Sequence, residues 1–526
     1  MKATRSIGQF LTLLAAAFWF TTPGNAQTQP LAQRTFTISV VPTNQNAVAV
    51  VWPVQRATPT NDAMILPQFQ VERSTDLKTW TPISGMVTGL LGQKLAFVDS
   101  ASTLGFYRVN SIIEQEYAQL DHTNLDFGQM QFADFFGAEL FGTSITNAAL
   151  TNAIFAAADL RSANFSNCGL NGADLFDVDA FQATFDSSSM AGADAGFGDF
   201  EAASLFNVDL TGSDFTGTIL TGADLDFAQF KGMKLDANPA MDAQPKLVWQ
   251  VANNGATNAV LTNKDLSFAR LNNVSFNGAK LTGTDFSQSF LNSTDFRGAN
   301  MSNTICMFAI FKQADLRGAN FTNAALTFVD FTGSQMDSTT RIEPKSRLVW
   351  QILNQNFGMN RDLHATNLSS TFLVSANFSG ANLSNAVCTS AIFEQANFGN
   401  ATLARGTLSG CDFFQAILTN ATLANAALNS AFSTGANFTG ANLSNSVCTS
   451  AVFEQANFGN TTLARGSFIN CDFFQAMLTN AVLTNANFNG SDFTSASLFN
   501  SNTNGATFVG ATFFNTIMPN GTIRNF

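Results

Sequence analysis

Charge is scarce in this chain. Of 526 residues, 12% are Asp, Glu, Lys or Arg and the formal net charge is -12, where ordinary globular domains carry roughly 25% charged residues. An acidic balance excludes nucleic acid as a direct ligand, because a phosphate footprint needs a basic face. There are 2 histidines, His122 and His364, far apart and without a metal-spaced partner. No C-x-x-C, H-E-x-x-H, G-x-S-x-G or Walker-type loop occurs, which argues against an enzyme and leaves no cofactor or metal to assign. Asp177 and Asp179 could be drawn as a calcium pair, but exposed Asp pairs are far more often solvated surface. Tyrosine is avoided, with 2 Tyr against 54 Phe. That imbalance suits a chain that reuses one buried slot many times.

Long apolar runs are missing after the first 20 residues, so no membrane span is expected beyond the start. The start itself reads as an export signal over 1–26. Lys2 and Arg5 give the positive region, Phe10 to Phe20 the apolar core, and Gly24-Asn25-Ala26 the small residues before Gln27. An uncleaved anchor is the bland alternative, weakened by a core shorter than the about 20 residues of a span. Export would place the chain in the periplasm, at the cell surface or outside.

What is present is a period of five. In 376–406 ("ANFSGANLSNAVCTSAIFEQANFGNATLARG") Phe378, Leu383, Cys388, Phe393, Phe398 and Leu403 fall on every fifth residue. Such apolar centres run from Leu120 to Leu235, with only Ala180 and Ala195 small. They resume from Leu261 to Met336, and again from Leu363 to about Met518, with Ser433 and Thr503 weak. Two places before each centre sits a small residue, as Ala381 before Leu383, and turn formers follow. Neither a helix of period 3.6 nor a strand of period 2 holds this pattern. A chain that turns a corner every five residues does.

These in-register units ("ANLSG", "ANFSG") resemble the pentapeptide-repeat family over 120–235, 261–336 and 363–526. The resemblance implies a mainly β fold, a right-handed quadrilateral β-helix with four units to a 20-residue coil and about 4.8 Å between coils. Residues 376–435 and 436–495 align without gaps, 42 of 60 positions identical, a whole number of coils. Cys306, Cys388 and Cys448 fall on centres, and Cys168, Cys411 and Cys471 on small slots. Cys388 and Cys448 lie three coils or about 14 Å apart, beyond the roughly 7 Å reach of a disulfide. All six are expected as buried free thiols.

Residues 35–110 carry short β-type runs, and "VERSTDLKTW…FYRV" resembles a fibronectin-type-III-like β-sandwich. Residues 111–119 read as a helical connector that could cover the first coil. Two interruptions, 236–260 ("KLVWQVANN") and 337–362 ("RLVWQILNQ"), read as short amphipathic helical insertions with Trp249 and Trp350 packed on the solenoid. Whether they cap separate solenoids or loop out of one is left open by the sequence.

Function must then lie on the outward side chains. Residues 118–242 hold 18 Asp/Glu against three Lys/Arg. The bland reading is that Asp before a centre suits the turn and keeps the surface soluble. The sharper one is mimicry of a DNA duplex, since some cytoplasmic members of the resembled family inhibit DNA gyrase. Outward phenyls align by face: Phe136 with Phe176, Phe141 with Phe181, and Phe414 with Phe474 and Phe514. Aligned apolar stripes suggest a surface for a protein partner or self-association. Arg405 and Arg465 read as ordinary surface charges. The leading expectation is an exported, non-enzymatic scaffold, and the alternative an acidic inhibitor of a DNA-processing enzyme.

Overall fold

The computed structural model describes residues 120–525, except 121, 129 and 132, and before them the backbone of seven strands. The export signal and residues 112–119 of the connector lie outside the described residues. The chain divides into two compact units, Met1–Asn254 and Gly255–Phe526.

In the first unit the strands are β1 (Ser39–Pro42), β2 (Val48–Pro53), β3 (Gln68–Ser74), β4 (Thr81–Pro82), β5 (Val87–Thr88), β6 (Lys94–Asp99) and β7 (Phe106–Ser111). They form two antiparallel sheets. One has the order β1-β2-β6, and the other is centred on β3, which pairs with β4, β5 and β7.

From Asn124 onward the chain coils with a pitch of twenty residues. The residue before each centre bridges in parallel to the one twenty positions later, as Asn164 to Thr184 or Asn437 to Asn457. Each centre donates its N–H to the next coil, as Leu140 to Asp159 O at 2.8 Å. Each corner is then closed by an N–H from three residues on, as Thr143 to Leu140 O at 3.1 Å. Turning the corner requires one left-handed residue per unit. Asn147 (φ 56°) and Gly142 (φ 62°) show why Asn and Gly recur there. The period of five is therefore one extended step plus one tight turn.

Inside, the centres stack in columns one coil apart. Phe438 and Phe458 lie parallel with centroids 4.8 Å apart, and Phe473 stacks on Phe493 at 4.9 Å. A phenol in such a column would meet only rings and aliphatic carbons, leaving its hydroxyl without a partner. That explains Phe in place of Tyr. Small slots close the interior, and where they are Ser, Thr or Cys some bond within the coil, as Thr294 Oγ1 to Leu291 O at 2.6 Å, and others across coils. Thr284 Oγ1 donates to Leu261 O at 2.7 Å, and Cys411 Sγ to Cys388 O at 2.7 Å. All six cysteines are free and buried.

Two helices end coiled segments. In the first unit a parallel pair, β8 (Ile219–Leu220) with β9 (Ala240–Met241), leads into α1 (Ala243–Asn254). Side chains of this helix bond polar groups of the last coil before it. Trp249 Nε1 donates to Met233 O at 2.9 Å. Asn253 Nδ2 donates to Phe230 O at 2.9 Å, while its Oδ1 accepts from Gly232 N at 2.7 Å.

The second unit repeats the device with α2 (Pro344–Gln355). Trp350 Nε1 bonds Ser334 O at 2.9 Å, Asn354 Nδ2 bonds Phe331 O at 3.0 Å, and Gly333 N bonds Asn354 Oδ1 at 2.6 Å. Each Asn lies 23 residues after the carbonyl it serves, the offset that an in-coil Ser, Thr or Cys uses. At these positions the helices supply the partners that a following coil supplies elsewhere. Within the second unit, Phe328 N donates to Ser370 O at 3.1 Å, tying the second coiled segment to the third. The last described turn is an antiparallel hairpin, β10 (Thr516–Ile517) with β11 (Ile523–Arg524).

Candidate partner surfaces

The five-residue step sends three positions of every unit outward: the one before the centre and the two after it. In the first unit, the positions before the centre build acidic columns. Glu139, Asp159, Asp179 and Asp199 follow one another one coil apart, and so do Asp174, Asp194 and Asp214. Arg161, on the corner beside the first column, is bonded to Asp159 at 2.5 Å and lies 3.5 Å from Asp179. The Arg161 side chain beside Asp159 holds that carboxyl below its ordinary range. Lys234 closes the second column on Asp214 at 3.0 Å.

Most of these carboxylates also have a structural task. Asp134 Oδ1 accepts from Phe136 N at 3.0 Å, Asp174 from Phe176 N at 3.1 Å, and Asp179 from Phe181 N at 3.2 Å. Asp412 and Asp472 do the same for Phe414 and Phe474, both at 2.8 Å. The residue before the centre ties down the corner amide two places on, which is an Asx-turn. Much of the acidity is therefore turn chemistry, and five of the seven candidate phenyls stand on corners braced in this way.

Of those seven, Phe136, Phe141, Phe176, Phe181, Phe414 and Phe514 are exposed, and Phe474 is half-buried. In the first unit Phe136 and Phe176 share one face and Phe141 and Phe181 the adjoining one. Phe141 lies between the His122 ring, 5.2 Å away edge-on, and the Arg161 guanidinium, 5.7 Å from its centroid. Phe176 meets Phe197 from the next coil at 5.5 Å.

Sequence reasoning passed over several exposed rings. Phe127 (72% exposed) and Phe197 (62%) are the most open, and Phe206, Phe308, Phe432 and Phe499 join them. Phe127, Phe197 and Phe308 occupy the left-handed corner position, at φ 58°, 60° and 59°. A bulky residue there works against backbone preference. The register alone could have found them, since every second residue after a centre faces out.

The second unit also contains a cavity of about 240 Å³, where Leu326 and Val329 of the last coil before α2 meet Val349 of the helix and Phe372 of the third segment. Glu343, Lys345 and Ser346 contribute its polar wall. Among the described residues, no group of three or more His, Cys, Asp or Glu could hold a metal ion. No helix there is long and apolar enough to cross a membrane.

The family model for pentapeptide repeats (8 copies) matches 143–179 and 199–236, and overlapping windows cover 256–337 and 362–515. These matches span more than half of the sequence, and the chain belongs to the pentapeptide-repeat family, whose repeats build a β-helical solenoid. No curated protein matches the chain. Among solved structures it is similar to HetL, a pentapeptide repeat protein involved in heterocyst differentiation regulation from the cyanobacterium Nostoc. The identity is 23%, over 53% of this chain and 98% of that one, with a TM-score of 0.18. QnrB1, a plasmid-mediated fluoroquinolone resistance protein, is 17% identical over 42% of this chain and 92% of its own, with a TM-score of 0.13. A pentapeptide repeat protein of the Arabidopsis thaliana thylakoid lumen is 24% identical over 22% of this chain and 72% of its own, with a TM-score of 0.12.

Proposed function

We propose that this protein is an exported, non-enzymatic scaffold whose right-handed solenoid segments hold outward side chains at fixed spacing for a protein partner or a second copy. The observation that carries the reading is the division of labour within each unit. Centre and small slot are spent on packing, and only the three outward positions are free to carry information. On those positions large apolar rings recur on braced corners. Exposed aromatics at fixed separation are what a protein interface uses as anchors. The two antiparallel sheets of residues 39–111 support the fibronectin-III-like sandwich as an attached domain.

Cell fractionation tests the export half of the proposal. A processed chain starting near Gln27 outside the cytoplasm supports it, and a full-length cytoplasmic chain overturns it. Affinity capture with the full chain tests the scaffold half. Loss of captured protein on Phe136→Ser with Phe176→Ser, with the fold intact, is the expected result.

A second reading, an acidic inhibitor of a DNA-processing enzyme, is favoured by one feature. The columns through Glu139 and Asp174 place carboxylates about 4.8 Å apart along two faces, a regular line of negative charge. A cytoplasmic location together with inhibition of such an enzyme would select it over the first.

A further inference from the structure

In the third coiled segment, the column from Asn367 to Thr507 and its following corner carry no charged residue, and the opposite face shares this neutrality. That opposite face is defined by the column from Asn377 through Asn437 and Asn457 to Ile517, each residue bridged to its neighbour one coil away. Neither that column nor the corner following it, from Ser379 to Asn500, contains a charged residue. Three exposed apolar side chains stand in the column: Ile517 (37%) at its end, and Ile417 (43%) and Met477 (47%) within it. On the preceding corner, in the coils of Ile417 and Met477, stand Phe414 and Phe474. The two pairs are separated by three coils, about 14 Å.

We propose that this face is where two copies of the chain pair side by side and antiparallel. The proposal deepens the scaffold reading and rests on it. Three observations select a second copy as the occupant. The first is charge: the column and its following corner set no carboxylate against a second copy. The second is spacing. A two-fold axis between the levels of Asn437 and Asn457 sets Ile417 against Met477 of the other copy, and Phe414 against Phe474. Asn437 then faces Asn457, and on the corner Glu454 faces Thr434 and Glu394 faces Thr494, so no carboxylate meets another. One operation covers both apolar pairs at once, which is the self-complementarity of an isologous contact. A parallel pairing would put each phenyl against the uncharged corner, where Thr419 and Thr479 stand.

The third observation is extent. From Asn377 to Ile517 the face runs seven coil steps, about 34 Å. A standard interface takes about 800 Å² from each partner, which a strip of that length reaches only if the corner phenyls are included.

Sedimentation of the full chain should show a reversible dimer. Phe414→Ser with Phe474→Ser should weaken it by about tenfold or more, with unchanged circular dichroism. Asn437→Asp with Asn457→Asp, which keeps both side-chain acceptors but sets charge against charge, should also disperse it. Orientation is read by mild oxidation. Chains carrying Asn397→Cys should cross-link to chains carrying Ser497→Cys, and neither should cross-link to itself. A full chain that stays monomeric at high concentration, a dimer indifferent to both double variants, or self-cross-linking of Asn397→Cys overturns the proposal. A monomer that still captures a protein partner would refute pairing alone. Intact dimerisation in a chain retained in the cytoplasm would refute the exported scaffold alone.

Discussion

The indole N–H of Trp350 meets the carbonyl oxygen of Ser334 at 2.9 Å, and nothing else among the described residues donates to that oxygen. Trp249 and Met233 repeat the relationship in the first unit at the same distance. A solenoid that stops leaves a ring of unpaired backbone groups. Here one Trp and one Asn, four residues apart on a helix, satisfy three of them.

Trp350→Phe keeps the apolar body of the side chain and removes only the donor. The buried Ser334 carbonyl is then orphaned, at a cost of about 1–3 kcal/mol. Denaturant unfolding of the full chain should show that loss. In Asn354→Leu, hydrogen exchange should speed up at Gly333, whose amide loses its acceptor.

Ser433 occupies a centre slot between Phe413 and Phe453, in a column otherwise filled by phenyls from Phe393 to Phe513. Its side chain is fully buried, and its hydroxyl has no partner among the described residues. Ser433→Ala should raise the melting temperature rather than lower it, because the desolvated hydroxyl costs about 1–3 kcal/mol. Ser433→Leu should add more by filling the slot. A lower melting temperature for both variants would refute this account.

Burial pushes the Cys306, Cys388 and Cys471 thiols up to about 12, and Cys168 up to about 11. Thiolate is therefore absent at neutral pH, and these thiols cannot attack a disulfide reagent. Titration with such a reagent at pH 8 should find none in the native chain and all six after unfolding in urea.

Asp337 accepts hydrogen bonds from the Thr339 hydroxyl and amide and from the amides of Thr340 and Gly318, and these hold its carboxyl down at about 2. A depressed folded value stabilises the fold above the ordinary carboxylate range near 3.8, and that contribution drains away as pH falls towards 2. Asp337→Ala should therefore be less stable at pH 6 and should converge with the parent chain near pH 2. A gap that persists at pH 2 would show that the carboxylate is not the cause.

The repeat was legible because sterics enforce it: a five-residue step admits one large and one small inward residue, and Leu383 with Ala381 announces both. The aligned phenyls at 414 and 474 were legible for the same reason. What the sequence withheld depends on contacts between distant residues. Trp249 and Asn253 look like any i, i+4 pair on an amphipathic helix until the helix lies over a coil end. Phe197 was missed because the corner position was read as the place for Asn or Gly. Its ring rests on the next coil at Gly217, where an added Cβ would meet it at 2.7 Å. The role of Asp174 was visible only in outline, since the sequence shows a turn former and the structure shows which amide it holds.

Copying residues 376–435 into 436–495 has a geometric consequence. Twenty is the only graduation on which this protein can grow without twisting its display, and the copied block is three graduations long. Every outward side chain retained in the copy keeps its compass bearing and changes only its height. The chain is thus a ruler that lengthens by gene duplication, offering any bound molecule the same mark again at a set interval. New specificity arises by repainting a mark, while the scale beneath it stays fixed.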